Sequence, residues 1–181
     1  MMLNRFNLSQ SIFTAGCSHQ NLRKYTMKKI ILLFPLLILL LSACGPDYNT
    51  DFDPPPPNAK LDDVFPSEIT GMKRIVNRMN LEHPLEGFTA SYDDGKITID
   101  AILAPVKSNA DDYFKNSIAP EYDKMKNHFR GNVNGQWSAS GTDQDGRKWF
   151  AWVNNRWIFQ LSGSDKNNLS KAIDAFRYVA E

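Results

Sequence analysis

The sequence predicts an α+β domain: an antiparallel β-sheet of about six strands in the order βββαβββα, with helices packed on one face. Three observations lead there. Asp93-Asp94-Gly95 separates two short apolar runs, a hairpin signal. Three more aromatic-rich runs follow residue 133, separated by Asp143-Gln144-Asp145-Gly146 and by the two-residue Asn154-Asn155. Near the end, Leu169, Ala172, Ile173, Phe176 and Val179 recur at the spacing of one buried helix face.

Taken in order, the elements begin after residue 60, and residues 61–181 make one domain of ordinary size. A first strand is expected over 72–79, then strands over 88–92 and 96–103 around the acidic turn. Ser108 with Asp111 three residues on is a capping pattern, with Asp in place of the usual Glu. It predicts a helix through "ADDYFKNSIA" with Tyr113, Phe114 and Ile118 as its apolar stripe. Pro120 ends or kinks that helix, and "EYDKMKNHF" reads as a further helical piece. Strands are expected over 134–141, 147–153 and 156–162, and Ser164 is placed to cap the last helix. "FTASYDDGK" and "WSASGTDQDGR" are alike, so a duplicated βββα unit is one reading; shared hairpin chemistry is the other.

The first 60 residues differ in character. Met27-Lys28-Lys29 is a short positive segment, and residues 30–41 are uncharged and apolar. A run of about 12 residues is too short for a membrane-spanning helix, which needs about 20, and fits the apolar region of a signal peptide. Leu41-Ser42-Ala43-Cys44 follows at once. These residues resemble the lipobox of bacterial lipoproteins. The resemblance implies alkylation of the Cys44 thiol, cleavage between Ala43 and Cys44, and acylation of the new amino terminus. Membrane lipid is then the first partner. With Gly45 rather than Asp at the second mature position, the family's sorting rule implies the outer membrane, facing the periplasm, in a Gram-negative host. Residues 1–26 are expected to precede the true start at Met27, 27–43 to be the signal peptide, and 44–60 a lipidated, proline-rich tether. Pro54 to Pro57 favour polyproline II, and sixteen such residues reach about 50 Å at about 3.1 Å each. The βββαβββα order is similar to that of the Mog1/PsbP-like domains found in some bacterial lipoproteins, a similarity of element order that rests on no motif.

Charge narrows the partners. All five basic residues before Cys44 lie in the leader, which carries no acidic one. The remainder keeps 16 basic and 20 acidic residues, a net −4. That argues against nucleic acid, whose phosphates need a basic surface. Cys17 and Cys44 are the only cysteines, so the domain holds no disulfide.

Candidate chemistry concentrates in "RKWFAWVNNRWIFQLSG". Trp149, Ala151 and Val153 point to one strand face, Phe150 and Trp152 to the other. Exposed, Trp149, Trp152 and Trp157 would stack on sugar rings or anchor a protein; buried, they are core. Arg147, Lys148 and Arg156 stand where cation–π contacts form. Arg74 and Arg78 share a strand face and offer a site for an anionic ligand or acidic partner; the alternative is a solvated outer face. The acidic turn at Asp143 fails as a calcium loop, because its Gly is misplaced and Asn154 stands at the twelfth position. His83 and His128 have no second ligand at metal spacing, and no nucleophile elbow, zinc-protease or phosphate-loop motif occurs. No metal, cofactor or catalytic residue is therefore assigned. The expectation is a non-catalytic interaction or envelope-assembly module, with a small-ligand or glycan-binding module using the tryptophans as the alternative.

Overall fold

The structure, a computed structural model, describes residues 48–181. Residues 1–26, the signal segment 27–43 and Cys44 lie outside the described residues. Among those described, no helix is long and apolar enough to cross a membrane.

A short helix α1 (Leu61–Val64) leads into a small ribbon of β1 (Glu68–Ile69) and β2 (Met72–Lys73). The main sheet is antiparallel and built from β3 (Ile75–Arg78), β4 (Glu86–Tyr92), β5 (Ile97–Leu103), β6 (Lys126–Val133), β7 (Gln136–Thr142), β8 (Lys148–Asn154) and β9 (Trp157–Gly163). Its spatial order is β3-β4-β5-β9-β8-β7-β6. Between β5 and β6 runs α2 (Lys107–Tyr113), continued by a π-helical turn (Phe114–Ile118) and α3 (Ala119–Tyr122); α4 (Lys166–Ala175) closes the domain. The α+β class and the antiparallel sheet are as the sequence predicts, with seven strands in the main sheet.

Helices were expected on one face and occupy both. Strand alternation is the cause. Ile97, Ile99, Trp157, Phe159, Leu161, Phe150 and Trp152 face α4 and pack with Leu169, Ala172 and Ile173. The neighbours Ile102, Ile158, Ala151 and Val153 face the other way, onto Ala110, Phe114, Ile118 and Tyr122. The central strands are apolar on both sides because each side is covered.

Local departures have local causes. The segment "MKNHF", expected as helix, enters β6. It is an edge strand and largely exposed, so no run of buried apolar residues marks it. The helix continues through Pro120 by widening into the π-turn: Ala119 N–H bonds the Phe114 carbonyl five residues back. Val106, not Ser108, stands at the start of α2, and no side chain caps it. Asp165, not Ser164, caps α4 by accepting from Asn168 N at 2.9 Å. That backbone bond is the first cause that lowers the Asp165 pKa. The last hairpin turns at Asn155-Arg156, with Asn155 at φ 55°. The two similar stretches face opposite ways: Phe88 and Ala90 join the α4-side core, Trp137 and Ala139 the other. A two-fold normal to the sheet, which relates antiparallel halves without exchanging faces, does not superpose them.

Candidate functional site

The sequence-derived candidates do not form one surface. Trp152 is 0% exposed, stacked on Phe150 at 5.2 Å and tilted on Phe159 at 5.2 Å. Trp157 is 7% exposed and stacked on Phe159 at 5.9 Å. Both are core, which corrects their assignment to a binding surface; a strand whose two faces are both covered has no room to display them. Trp149 is half-buried on the opposite face. Its indole N–H donates to Asp143 Oδ2 at 2.9 Å, and the Arg147 guanidinium lies over its ring at 5.9 Å. Lys148 instead donates to Thr142 Oγ1, and Arg156 to the Ala104 carbonyl. The turn at Asp143 is closed on itself, since Asp143 Oδ1 accepts from the backbone of Asp145 and Arg147.

Arg74 is structural. It donates to the carbonyls of Leu61 and Phe65 and pairs with Asp62, tying the α1 turn to the ribbon. Arg78 is exposed, 3.8 Å from Glu86, and lines an open depression with Met79, Asn80, Leu81 and Leu85. The two arginines thus have separate occupations and make no joint anion site. His83 lies in a turn, and His128 Nδ1 sits 3.0 Å from the Met125 carbonyl. Among the described residues no group of three or more His, Cys, Asp or Glu is placed to hold a metal ion.

Two features escaped the sequence. The first is a polar row on the sheet face beside α2 and α3. Register sets Thr89 opposite Asp100 and Asp100 opposite Gln160. Thr89 Oγ1 donates to Asp100 Oδ1 at 2.6 Å, and Tyr122 OH reaches Gln160 Oε1 at 3.4 Å. Asp100 is 9% exposed, and no cation pairs with it among the described residues. Burial raises its pKa against the lowering effect of the Thr89 bond. Its charge in turn raises Tyr122, after that hydroxyl's own burial. One row on, Ser162 is fully buried; its hydroxyl meets Thr98 Oγ1 at 2.7 Å and accepts from Arg147 at 2.6 Å. The polar groups of this row bond chiefly to one another and to Arg147. It carries no activated nucleophile. Asp100 sits at the centre of "KITIDAIL", where an acid in an apolar run was the available signal.

The second is the proline-rich segment, expected as a spacer and instead docked along the α4 side of β7, β8 and β9. Tyr48 packs edge-on against Phe150 at 4.7 Å, and Asn49 exchanges two 2.9 Å backbone bonds with Ala180. Gln136 Nε2 donates to the Thr50 carbonyl at 3.2 Å, Asn154 Nδ2 to that of Phe52 at 2.6 Å, and the Trp157 indole to that of Pro55 at 2.7 Å. Pro55 is buried. The domain therefore starts near Tyr48, not at residue 61.

Among the described residues both sheet edges are open to solvent: β3 carries Ile75 at 63% exposure and β6 carries Val133 at 68%. Unpaired edges are templates for another chain, and the charges of Lys126 and Arg130 on β6 are the usual guard against indiscriminate pairing.

No protein-family model matches the chain, and no curated protein matches it. A solved structure of a GTP binding regulator from Thermotoga maritima is similar over 70% of this chain and 94% of that chain, with 13% identity and a TM-score of 0.47. A likeness of that size carries no argument about what this chain does.

Proposed function

We propose that this chain is a lipid-anchored lipoprotein of the bacterial cell envelope, whose α+β domain is a non-catalytic interaction or assembly module. The observation that carries the reading is the run from Lys28-Lys29 through the apolar 30–41 to Leu41-Ser42-Ala43-Cys44. Lipid on Cys44 supplies the anchor, and Gly45 directs the protein to the outer membrane, facing the periplasm, in a Gram-negative host. Two acyl chains make a stable anchor at about 0.8 kcal/mol per buried methylene. The open edges at Ile75 and Val133 support an envelope protein as the second partner, bound by strand addition.

The test is Cys44→Ser. The native protein should fractionate with membranes and weigh more than its cleaved sequence by the mass of the lipid, and the variant should lose both. Equal fractionation and equal mass would refute the anchor. Photoreactive residues at Val133 and Ile75, introduced in intact cells, address the module. A discrete protein adduct from either edge supports it, and none from both edges counts against it.

A second reading, a small-ligand module, is favoured by one observation: Asp100, a buried carboxylate bonded to Thr89 without a cation partner among the described residues. Trp152 and Trp157 cannot serve that reading, so any ligand belongs beside Asp100, Gln160 and Trp149. Titration with small amines and sugars, followed by Trp149 fluorescence in native and Asp100→Asn protein, tests it. Saturable binding lost in the variant supports it, and flat titrations remove it.

A further inference from the structure

The docked segment changes how far the domain stands from its anchor. Only residues 45–47 separate Cys44 from Tyr48, which the Phe150 ring and the Asn49–Ala180 bridge hold. Four steps of extended chain span at most about 14 Å. The free spacer that composition suggests would reach about 50 Å. The shorter figure is less than the length of one strand of this sheet, about 20 Å for seven residues.

The direction of entry then orients the domain. Tyr48 lies over Phe150, two residues from the start of β8, while Thr50, Phe52 and Pro55 bond to Gln136, Asn154 and Trp157, which register places at the other end of the strands. The chain therefore enters toward the sheet end that carries the 143–147 turn. The opposite end carries Val106 and the turn at Asn155.

We propose that residues 48–57 are a strap that holds the domain against the lipid surface, with the 143–147 end toward the bilayer and the Val106 end away from it. The inference rests on lipidation of Cys44. The occupant facing the 143–147 end is the bilayer itself, because three residues leave no room for a further protein layer beneath it. A partner must then come from the side, where the β3 and β6 edges lie, or from the far end.

The experiment uses the processed, lipidated full-length protein. Cleavage removes Cys17 and lipidation consumes the Cys44 thiol, so one introduced cysteine takes one fluorophore. Asp145→Cys labels the near end and Val106→Cys the far end; both positions are exposed. Each is reconstituted in phosphatidylethanolamine–phosphatidylglycerol vesicles containing a nitroxide-headgroup lipid. Quenching at 145 should exceed that at 106 several-fold. Inserting twenty Gly/Ser residues between Asp47 and Tyr48 should erase the difference without altering the fold. Equal quenching at the two sites in the native tether, or stronger quenching at 106, overturns the strap orientation while leaving the lipoprotein reading intact. A protein whose mass shows no lipid overturns both, and that result is seen before any labelling.

Discussion

Trp157→Phe tests whether the proline-rich segment is held as described. The indole N–H donates to the Pro55 carbonyl at 2.7 Å, and both residues are buried. Removing the donor strands that carbonyl away from water, which costs about 1–3 kcal/mol. The smaller ring also gives up packing on Phe159 and under the strap, worth about another 1–2 kcal/mol at roughly 0.8 kcal/mol per buried carbon. The expected loss is about 2–5 kcal/mol, within the stability of about 5–15 kcal/mol usual for a domain. The variant should stay folded. Two assays separate local from global effects. Urea unfolding followed by the fluorescence of the three remaining tryptophans reads global stability, and limited proteolysis across residues 50–57 reads local opening. Released strap with a smaller global loss means that the segment opens as its own unit. A loss under about 0.5 kcal/mol with unchanged proteolysis would refute the reasoning, since a formed buried bond cannot vanish without trace.

Three further outcomes are expected. Asp100→Asn should remove a loss of stability that the native protein suffers as pH rises: a carboxyl whose folded pKa is raised contributes stability that is present below the unfolded pKa and lost as pH rises through the folded one. The variant should therefore match the native protein near pH 3 and exceed it at neutral pH, and denaturant midpoints across pH that stay parallel would count against a buried carboxylate. Gly163→Ala should be severe in urea unfolding, about 3 kcal/mol or more, because its Cβ would lie 2.1 Å from Leu169 N and 2.6 Å from Asn168 C, backbone atoms that no rotamer moves; Gly146→Ala, at φ 88° in open space, should lose only about 1 kcal/mol in the same assay. Arg74→Ala should cost about 1.5–3 kcal/mol through the carbonyls of Leu61 and Phe65, and leave binding at either sheet edge unchanged in the crosslinking assay.

Legibility followed the range of the interactions. The Asp93-Asp94-Gly95 hairpin, the β7–β8–β9 meander and the Leu169, Ala172 and Ile173 face of α4 were readable because turn chemistry and periodicity act within a few residues; Phe176 and Val179, expected on that face, are buried but lie past the helix, which ends at Ala175. Edge strand β6 was not, since an edge strand in water needs no apolar alternation. Nor was the role of Arg74, whose partners lie up to 13 residues away. Asp100 was not singled out, although it stands as an acid in an apolar run; its lack of a cation partner among the described residues is a property of the folded neighbourhood.

By itself the sequence determined the α+β class, the hairpins and last helix, and the address at Cys44 as an expectation, because each rests on local spacing or a contiguous motif. Only the tertiary structure decided that both sheet faces are covered, that Trp152 and Trp157 are core, and that residues 48–57 form part of the domain. Those outcomes depend on partners such as Asn154 and Trp157, which lie 102 residues from the carbonyls of Phe52 and Pro55 that they bind. Proline composition reports backbone stiffness, and a stiff segment serves as a free spacer or a docked strap according to which donors the fold brings beside it.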